Sequence, residues 1–253
     1  MIVIDIGNTN IVIGIYVKSK LSHVYRFETK SKKFLSRIKK TINKNKIDKY
    51  KIDYKLCVVS SVVPKVSNTI VNFFKKIGLK VYNINYLNIP TNVKFKINNP
   101  KELGNDRIAN TIAAIEKYGK DCLILDFGTA TTFDIIKNNI YQGGIIAPGV
   151  TISHDTLVKN ASQLNKVSIS KTKKIVGKNT IQAMKSGFYW GYTSLINGII
   201  EKTINEKKYL PTLILTGGLA NTFKDQIEMK CYYEPHLTLQ GLYLIGLKKN
   251  EKF

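Results

Sequence analysis

An apolar strand that ends in an Asp-x-Gly turn occurs twice along this chain. Residues 2–6 are apolar apart from Asp5, and a second largely apolar stretch, residues 11–16, follows the turn. Residues 123–127 repeat the arrangement around Asp126, again with apolar residues after the turn. Two apolar runs joined by a few glycine, hydroxyl or amide residues are typical of a β-hairpin. The two aspartates lie 121 residues apart, close to half the chain, which predicts two similar lobes rather than a solenoid.

The remaining segments alternate between helical and strand-like periodicity, as expected for an α/β protein. Helices are predicted over residues 31–44, 64–77, about 106–118 and about 180–207, with closing helices near 220 and 240. Strands are predicted at residues 56–61 and 211–215. The second helix is predicted to bury one face, formed by Val66, Ile70, Phe73, Phe74 and Ile77, and to end at Gly78. The expected lobes are residues 1–112 and 113–253.

Composition predicts a globular protein with a substantial core, because 43% of the 253 residues are hydrophobic. The apolar runs are well short of the roughly 20 residues that span a bilayer, and Met1 leads into apolar residues without a charged leader. A cytoplasmic protein without membrane partners is therefore expected. Cys57, Cys122 and Cys231 are widely separated and form no CxxC pair, so buried structural thiols are favoured over a zinc or redox site.

The formal net charge of +23 raises the question of a nucleic-acid partner. Of the 40 basic residues only Arg26, Arg37 and Arg107 are arginine, the residue best suited to bidentate recognition of phosphates and bases. The dispersed lysines instead fit an A/T-rich coding sequence and a solvated surface. A nucleic-acid surface, the alternative, would require clustered arginines or aromatic residues. No nucleic-acid partner is expected, although the charge would help to attract anionic substrates.

Two kinds of motif suggest chemistry. The Asp-x-Gly turns at Asp5 and Asp126 can approach anionic oxygens closely and donate backbone amides to them, as phosphate loops do. The alternative is that they are simply hairpin turns. Asp106 and Arg107 stand at the start of a predicted helix, where Asp106 could be a catalytic base or merely the helix N-cap. An arginine in so lysine-rich a chain favours a functional role for Arg107.

Taken together, residues 5–10, 99–107 and 126–132 resemble the three defining motifs of type III pantothenate kinases. Further matches occur in the family's order at residues 143–149, 179–187, 216–218 and 237–242. The resemblance implies the duplicated fold of the actin/Hsp70/sugar-kinase (ribonuclease H-like) group, with two similar lobes. It also implies ATP-dependent phosphorylation of pantothenate to 4′-phosphopantothenate, the first step of coenzyme A biosynthesis.

The same resemblance implies the site residues. ATP is expected to contact Asp5, Ile6, Gly7, Asn8, Thr9, Asn10, Ile11, Val12 and Thr129. Asp5 is expected to hold Mg²⁺ directly or through water, and Asp126 to contribute to a site for K⁺ or NH₄⁺. Pantothenate is expected to contact Gly104, Asn105, Asp106, Arg107 and Thr180, with Asp106 as the catalytic base. Thr180 would come from the neighbouring subunit of a homodimer. Asn105 stands where the family usually has alanine.

Two alternatives stay open at this point. One is another kinase or phosphohydrolase of the same superfamily that acts on a sugar or polyphosphate, which fold alone does not exclude. The other is a non-catalytic accessory or regulatory protein. The Gly-Asn-Asp-Arg segment argues against the first. The retention of Asp5, Asp106, Arg107 and Asp126 together argues against the second, since a binding-only descendant need not keep them.

Overall fold

The computed structural model describes residues 1–44 and 55–250, which form two compact units. The first unit contains Met1–Lys117 and the C-terminal segment that begins at Leu237, and the second contains Tyr118–His236. The lobes predicted from sequence, 1–112 and 113–253, differ from this division in their boundary and in the placement of the closing helix. That helix belongs with the first unit because its apolar side chains pack there: the Tyr243 ring stacks on the Tyr16 ring, with centroids 4.0 Å apart.

The first unit is built on a five-stranded sheet with the order β3-β2-β1-β4-β5. Its elements are β1 (Ile2–Ile6), β2 (Asn10–Val17), β3 (Lys20–Glu28), α1 (Phe34–Lys44), β4 (Leu56–Ser61), α2 (Pro64–Lys76), β5 (Lys80–Asn83), β6 (Lys94–Phe95), a 3-10 turn (Pro100–Glu102), α3 (Asn105–Tyr118) and α7 (Leu237–Asn250). Strands β1 and β4 are parallel, whereas β1, β2 and β3 form an antiparallel meander. The carboxyl ends of β1 and β4 therefore lie side by side.

The second unit repeats this plan. Its elements are β7 (Cys122–Phe127), β8 (Ala130–Lys137), β9 (Ile140–Pro148), α4 (Val150–Asn160), α5 (Thr180–Lys207), β10 (Thr212–Gly217), α6 (Ala220–Phe223) and β11 (Cys231–Tyr233). The strands of this unit lie in the order β11-β10-β7-β8-β9, with β7 antiparallel to β8 and parallel to β10. Strand β7 thus occupies the position that β1 occupies in the first sheet.

The duplication extends to local irregularities in the two meanders. Each second strand has a register shift at the same place, between Ile15 and Tyr16 in β2 and between Ile135 and Ile136 in β8. Each following two-residue turn has positive φ at both positions, 47° and 61° at Lys18-Ser19 and 55° and 61° at Asn138-Asn139. Such turns match the right-handed twist of the strands they connect. The predicted duplicated α/β fold is confirmed.

Each unit has its own apolar core between its sheet and its helices. In the first, Ile70 and Phe74 of α2 are fully buried against β1, β2 and β4. Ile77, which was predicted to share this face, is 44% exposed, because α2 ends at Lys76 and Gly78 turns the chain away with φ 85°. In the second, the Phe127 and Phe223 rings stack with centroids 5.3 Å apart.

The three cysteines are at least partly buried, as expected from sequence. Cys57 and Cys122 are buried and Cys231 is partly buried, and all three are free thiols. Burial raises the pKa of the Cys122 thiol to about 12, so this group stays protonated at neutral pH.

Within the described ranges, the helices include none that is both long enough and apolar enough to cross a membrane.

Candidate active site

Three elements of the first unit meet where β1 and β4 end. Asp5 is the penultimate residue of β1, and the Ser60 hydroxyl of β4 donates a hydrogen bond to Asp5 Oδ1 over 3.0 Å. The next residue of β4, Ser61, accepts a long hydrogen bond of 3.4 Å from the Asn105 amide through its carbonyl oxygen. Asn105 is the first residue of α3. The end of β4 therefore connects the carboxylate of Asp5 to the start of the helix that carries Asp106.

Asp106 lies in the first turn of α3, one residue after the helix begins. Its Oδ1 accepts a hydrogen bond of 2.9 Å from the backbone N–H of Arg107, so the carboxylate folds back over the helix start. The side chains of Asp106 and Arg107 are half-buried, which leaves part of each accessible to a ligand. Asp106 is not the N-cap considered from sequence, because α3 already begins at Asn105. Its hydrogen bond fixes the carboxylate without enclosing it, which is compatible with a catalytic role.

The lack of a side chain at Gly104 leaves room for the carboxylate of Asp106. A Cβ atom at position 104 would overlap Asp106 Oδ1, and it would also lie 3.9 Å from Cδ of Arg107. The carbonyl of Gly104 accepts the first helical hydrogen bond, from the N–H of Ile108 over 3.1 Å. Glycine at this position therefore lets the acidic side chain lie across the helix start.

The first Asp-x-Gly turn is held from outside by a residue that sequence reasoning missed. The Thr29 hydroxyl donates to the carbonyl of Gly7 over 2.8 Å, and its N–H donates to the carbonyl of Thr9 over 3.0 Å. Inside the turn, the N–H of Gly7 donates to the carbonyl of Asn10 over 2.9 Å. Asn8 and Thr9 remain exposed at the tip. Thr29 fixes the loop, and its only signal in sequence is a hydroxyl residue at the end of the third strand.

Two of the three apolar members of the predicted ATP-binding set are fully enclosed. Ile6 and Ile11 are fully buried in the core of the first unit, and Val12 is half-buried. The carbonyl of Ile6 accepts a hydrogen bond from the N–H of Val62 over 3.1 Å. Any contact of Ile6 or Ile11 with a ligand would therefore be through backbone atoms, whereas Asn8 and Thr9 can contact one with their side chains.

The second Asp-x-Gly turn lies against the Thr-Gly-Gly segment at residues 216–218. Asp126 and Thr216 are register partners on the parallel strands β7 and β10. Gly217 has φ 88°, and a Cβ there would come within 2.5 Å of Asp126 Oδ1. The N–H of Gly218 donates to the carbonyl of Phe127 over 3.1 Å. Only a residue without a side chain fits beside this carboxylate in such a conformation.

Thr129 and Thr180 both lie at exposed positions of the second unit. Thr129 is at the tip of the second turn, where the N–H of Gly128 donates to the carbonyl of Ala130 over 3.1 Å. Thr180 is the first residue of α5, whose N-cap is Asn179, with Oδ1 accepting the N–H of Gln182 over 2.9 Å. The cap fixes the direction in which α5 begins and so the position of Thr180.

The donor chemistry fits hard cations that are bound together with a substrate. Within residues 1–44 and 55–250, histidine, cysteine, aspartate and glutamate form no group of three or more that could hold a metal by itself. Asp5 and Asp126 each present a half-buried carboxylate at a strand end. Mg²⁺ is commonly held by one or two carboxylates, with water and substrate phosphates as the remaining ligands. Single carboxylates at these two positions suit such sites.

Comparison with known proteins shows the family of the chain. A family model described as type III pantothenate kinase matches residues 1–202. A type III pantothenate kinase of Pelagibacter ubique is 40% identical over 250 residues, which cover 96% of each chain. That of Halalkalibacterium halodurans is 39% identical over 254 residues, 99% of each chain. The chain belongs to the type III pantothenate kinase family.

Solved structures support the fold of this pantothenate kinase family member. A Campylobacter jejuni protein named for the Baf family of transcriptional activators has a TM-score of 0.62, 21% identity and full coverage of both chains. An activator of 2-hydroxyisocaproyl-CoA dehydratase from Clostridium difficile has a TM-score of 0.56 and 11% identity, covering 100% of this chain and 97% of its own. At such identities the likeness concerns the fold alone.

The contact between Gly104 and Asp106 generates a test. Gly104→Ala should lower kcat for phosphoryl transfer by a factor of about 10 to 100, because the added methyl displaces the carboxylate of Asp106. Steady-state kinetics with a thermal-unfolding control would measure it. Gly198→Ala, in α5, is the matched control: its Cβ would meet nothing within 4 Å. The control should keep kcat. An unchanged kcat in Gly104→Ala would show that the carboxylate position is unimportant.

Proposed function

We propose that this protein transfers the γ-phosphoryl group of ATP to the primary hydroxyl of pantothenate, giving 4′-phosphopantothenate at the first step of coenzyme A biosynthesis. The observation that carries the proposal is the connection of the Gly-Asn-Asp-Arg segment to the end of β1. Ser60 contacts Asp5, and the neighbouring Ser61 contacts Asn105, so a potential base lies on a helix tied to a potential phosphate loop. Family membership supports the same reaction.

In this reaction Asp106 acts as the general base. Its carboxylate accepts the proton of the pantothenate hydroxyl as that oxygen bonds to the γ-phosphorus and the bond to the leaving ADP oxygen breaks. Arg107 binds an anionic or carbonyl group of pantothenate and keeps the hydroxyl within reach of the base. Gly104 and Asn105 contribute backbone and amide contacts beside them. Since phosphoryl transfer relies mainly on positioning and charge stabilisation, a rigid helix start is a suitable support.

ATP binds through the first turn, and Thr129 is a further proposed contact of its phosphates. The exposed Asn8 and Thr9 supply side-chain and backbone donors to phosphate oxygens, and Gly7 and Asn10 shape the loop. Asp5 would hold Mg²⁺ directly or through water, and Mg²⁺ supplies neutralisation of the phosphate charge. The Ser60 hydroxyl orients the carboxylate of Asp5 for this role by donating to Oδ1.

Asp126 contributes to a site for K⁺ or NH₄⁺. The approach of Gly217 to its carboxylate brings backbone atoms of β10 beside Asp126, and carbonyl oxygens with one carboxylate are suitable ligands for a large monovalent cation. Such a cation supplies positive charge beside a phosphate loop. Asp126 supplies the fixed carboxylate oxygen, and Gly217 leaves the space beside that oxygen.

The active unit is a homodimer in the cytoplasm, in which Thr180 contacts pantothenate bound to the neighbouring subunit. Large apolar side chains beside Thr180 support this part of the proposal. Ile175, Val176 and Ile181 are 69%, 75% and 54% exposed, respectively, and they precede and follow the start of α5. A second copy of the chain would cover them, since closed two-fold dimers are the commonest soluble oligomers.

Product analysis tests the reaction directly. The purified protein with ATP, Mg²⁺, K⁺ and pantothenate should yield 4′-phosphopantothenate by mass spectrometry. Asp106→Asn should keep the fold and ATP binding but lower kcat by a factor of about 10² to 10⁴, as expected for loss of a general base. A variant with near wild-type turnover would remove Asp106 from the mechanism, and absence of product in the wild type would refute the proposed function.

The cation proposal predicts a salt dependence that Asp126 controls. At constant Mg²⁺, replacing K⁺ by Na⁺ should depress activity strongly in the wild type. Asp126→Ala should show the same low rate in both salts, because the carboxylate that favours the larger cation is gone. Initial rates at constant ionic strength would measure both effects. Equal wild-type rates in the two salts would show that Asp126 does not serve a selective cation site and contributes only to the phosphate loop or the fold.

A shared site predicts complementation between inactive chains. An Asp106→Asn chain and a Thr180→Trp chain, co-expressed with different tags, should form a heterodimer in which one of two composite sites has both wild-type residues. Random pairing should restore about a quarter of wild-type activity, since about half of the dimers hold one intact site. A Thr180→Ser chain serves as the conservative control. No activity in a verified heterodimer would place Thr180 and Asp106 in the same subunit's site.

A further inference from the structure

The helix that carries Asp106 has a buried polar contact one turn beyond that residue. Asn110 is fully buried, and its Oδ1 accepts a hydrogen bond of 2.8 Å from the hydroxyl of Thr238 in α7. Asn110 follows Asp106 by four residues, so the two lie on the same side of α3 and about 6 Å apart along its axis. The Thr238 contact therefore lies close to the carboxylate that the proposed reaction uses.

The backbones of α3 and α7 are in direct contact beside this hydrogen bond. Gly241 follows Thr238 by three residues and faces the same side of α7. A Cβ at Gly241 would overlap the carbonyl group of Ala109. Ala109 precedes Asn110, so the close approach and the hydrogen bond act on the same turn of α3. Together they fix both the distance between the two helices and their relative register.

The other side of α7 is fixed to the sheet that carries Asp5. The Tyr243 ring stacks on Tyr16 of β2 with an interplanar angle of 8°, and Leu239 is fully enclosed. A Cβ at Gly14 of β2 would lie 3.1 Å from Cδ1 of Leu239, which shows how closely α7 packs on this strand. Helix α7 thus contacts the sheet on one side and α3 on another.

The direct hydrogen bond between the start of α3 and the end of β4 is weak compared with the contacts between α3 and α7. The hydrogen bond from Asn105 to the carbonyl of Ser61 measures 3.4 Å, near the outer limit for such a bond. The first turn of α3 is braced internally by the Thr111 hydroxyl, which donates to the carbonyl of Arg107 over 2.8 Å. That bond stiffens the turn but does not locate it. The contacts with α7 include a shorter hydrogen bond and a close backbone approach, and they contribute to locating the turn.

We infer that Thr238 and Gly241 of the C-terminal helix are positioning residues for Asp106, holding the start of α3 in register through Asn110 and Ala109. Neither residue is assigned a contact with substrate or with the reacting atoms. The inference rests on the proposed function, because it takes Asp106 as the base in phosphoryl transfer. Loss of the Thr238 hydroxyl should therefore change the rate of the chemical step more than the binding of either substrate.

The test compares Thr238→Val with Thr238→Ser. The valine variant keeps the side-chain volume but removes the donor to Asn110, and kcat should fall about five- to tenfold, with KM for ATP and pantothenate within about twofold of wild type. The serine variant keeps the hydroxyl and should restore most of kcat. If Thr238→Val fails to fold, Thr238→Ala removes the same hydroxyl. A valine variant with wild-type kcat would overturn the inference.

A matched control separates positioning from loss of stability. Ile70→Val removes one methylene from the fully buried face of α2, which packs against β1, β2 and β4, and should lower the melting temperature without changing kcat. Hydrogen exchange of the backbone amides of residues 107–111 should accelerate in Thr238→Val and stay unchanged in Ile70→Val. Equal losses of kcat in the two variants would reduce Thr238 to a structural role.

The two proposals fail in different ways. If the wild type makes no 4′-phosphopantothenate, the proposed function fails before any variant is compared, and the inference falls with it. If the wild type is active and Asp106→Asn is impaired, the variants of Thr238 test the positioning role alone. In the Asp106→Asn background, Thr238→Val should then lower the residual rate less than it does in the wild type, because the group it positions is gone. Equal effects in both backgrounds would overturn the positioning role.

Discussion

The hydrogen bond from Ser60 to Asp5 joins two parallel strands at the point where both end. A carboxylate at the end of an otherwise apolar strand needs a hydrogen-bond donor, because it lies at the rim of a fully buried core. The buried hydroxyl of Ser60 on the neighbouring strand donates that hydrogen bond over 3.0 Å. The contact fixes the direction of the carboxylate while leaving part of it accessible. The first Asp-x-Gly turn and the proposed chemistry both depend on this placement.

The two units repeat one plan but hold their Asp-x-Gly turns in different ways. Ile6 pairs with Ile11 across the first turn, whereas Phe127 pairs with Thr131 across the second, so the second turn is one residue shorter. At the equivalent end of the third strand, the first unit has Thr29 and the second has Gly149, whose Cβ would overlap the carbonyl of Thr129. A side chain clamps the first loop, and close backbone packing holds the second.

Local signals made much of this fold predictable. Strand β4 and helix α5 have the bounds expected from sequence, because an apolar run ending in two serines and an Asn-Thr helix start are strong short-range signals. Strand β9 and helix α4 were not predicted, since glycines and mixed polarity obscure their periodicity. The roles of Ser60 and Thr29 depend on contacts between residues distant in sequence. No pattern within a short window contains that information.

The placement of α7 has a consequence for the order in which the protein is made and folded. Strand β1 leaves the ribosome more than 200 residues before the helix that covers its sheet, Leu237–Asn250. The second unit, Tyr118–His236, is continuous and can acquire its whole core earlier. The first unit must wait until contacts spanning more than 200 residues can form, and such long-range contacts slow folding. During synthesis, the first unit therefore begins before the second but is completed after it, and until then its sheet lacks the cover of α7.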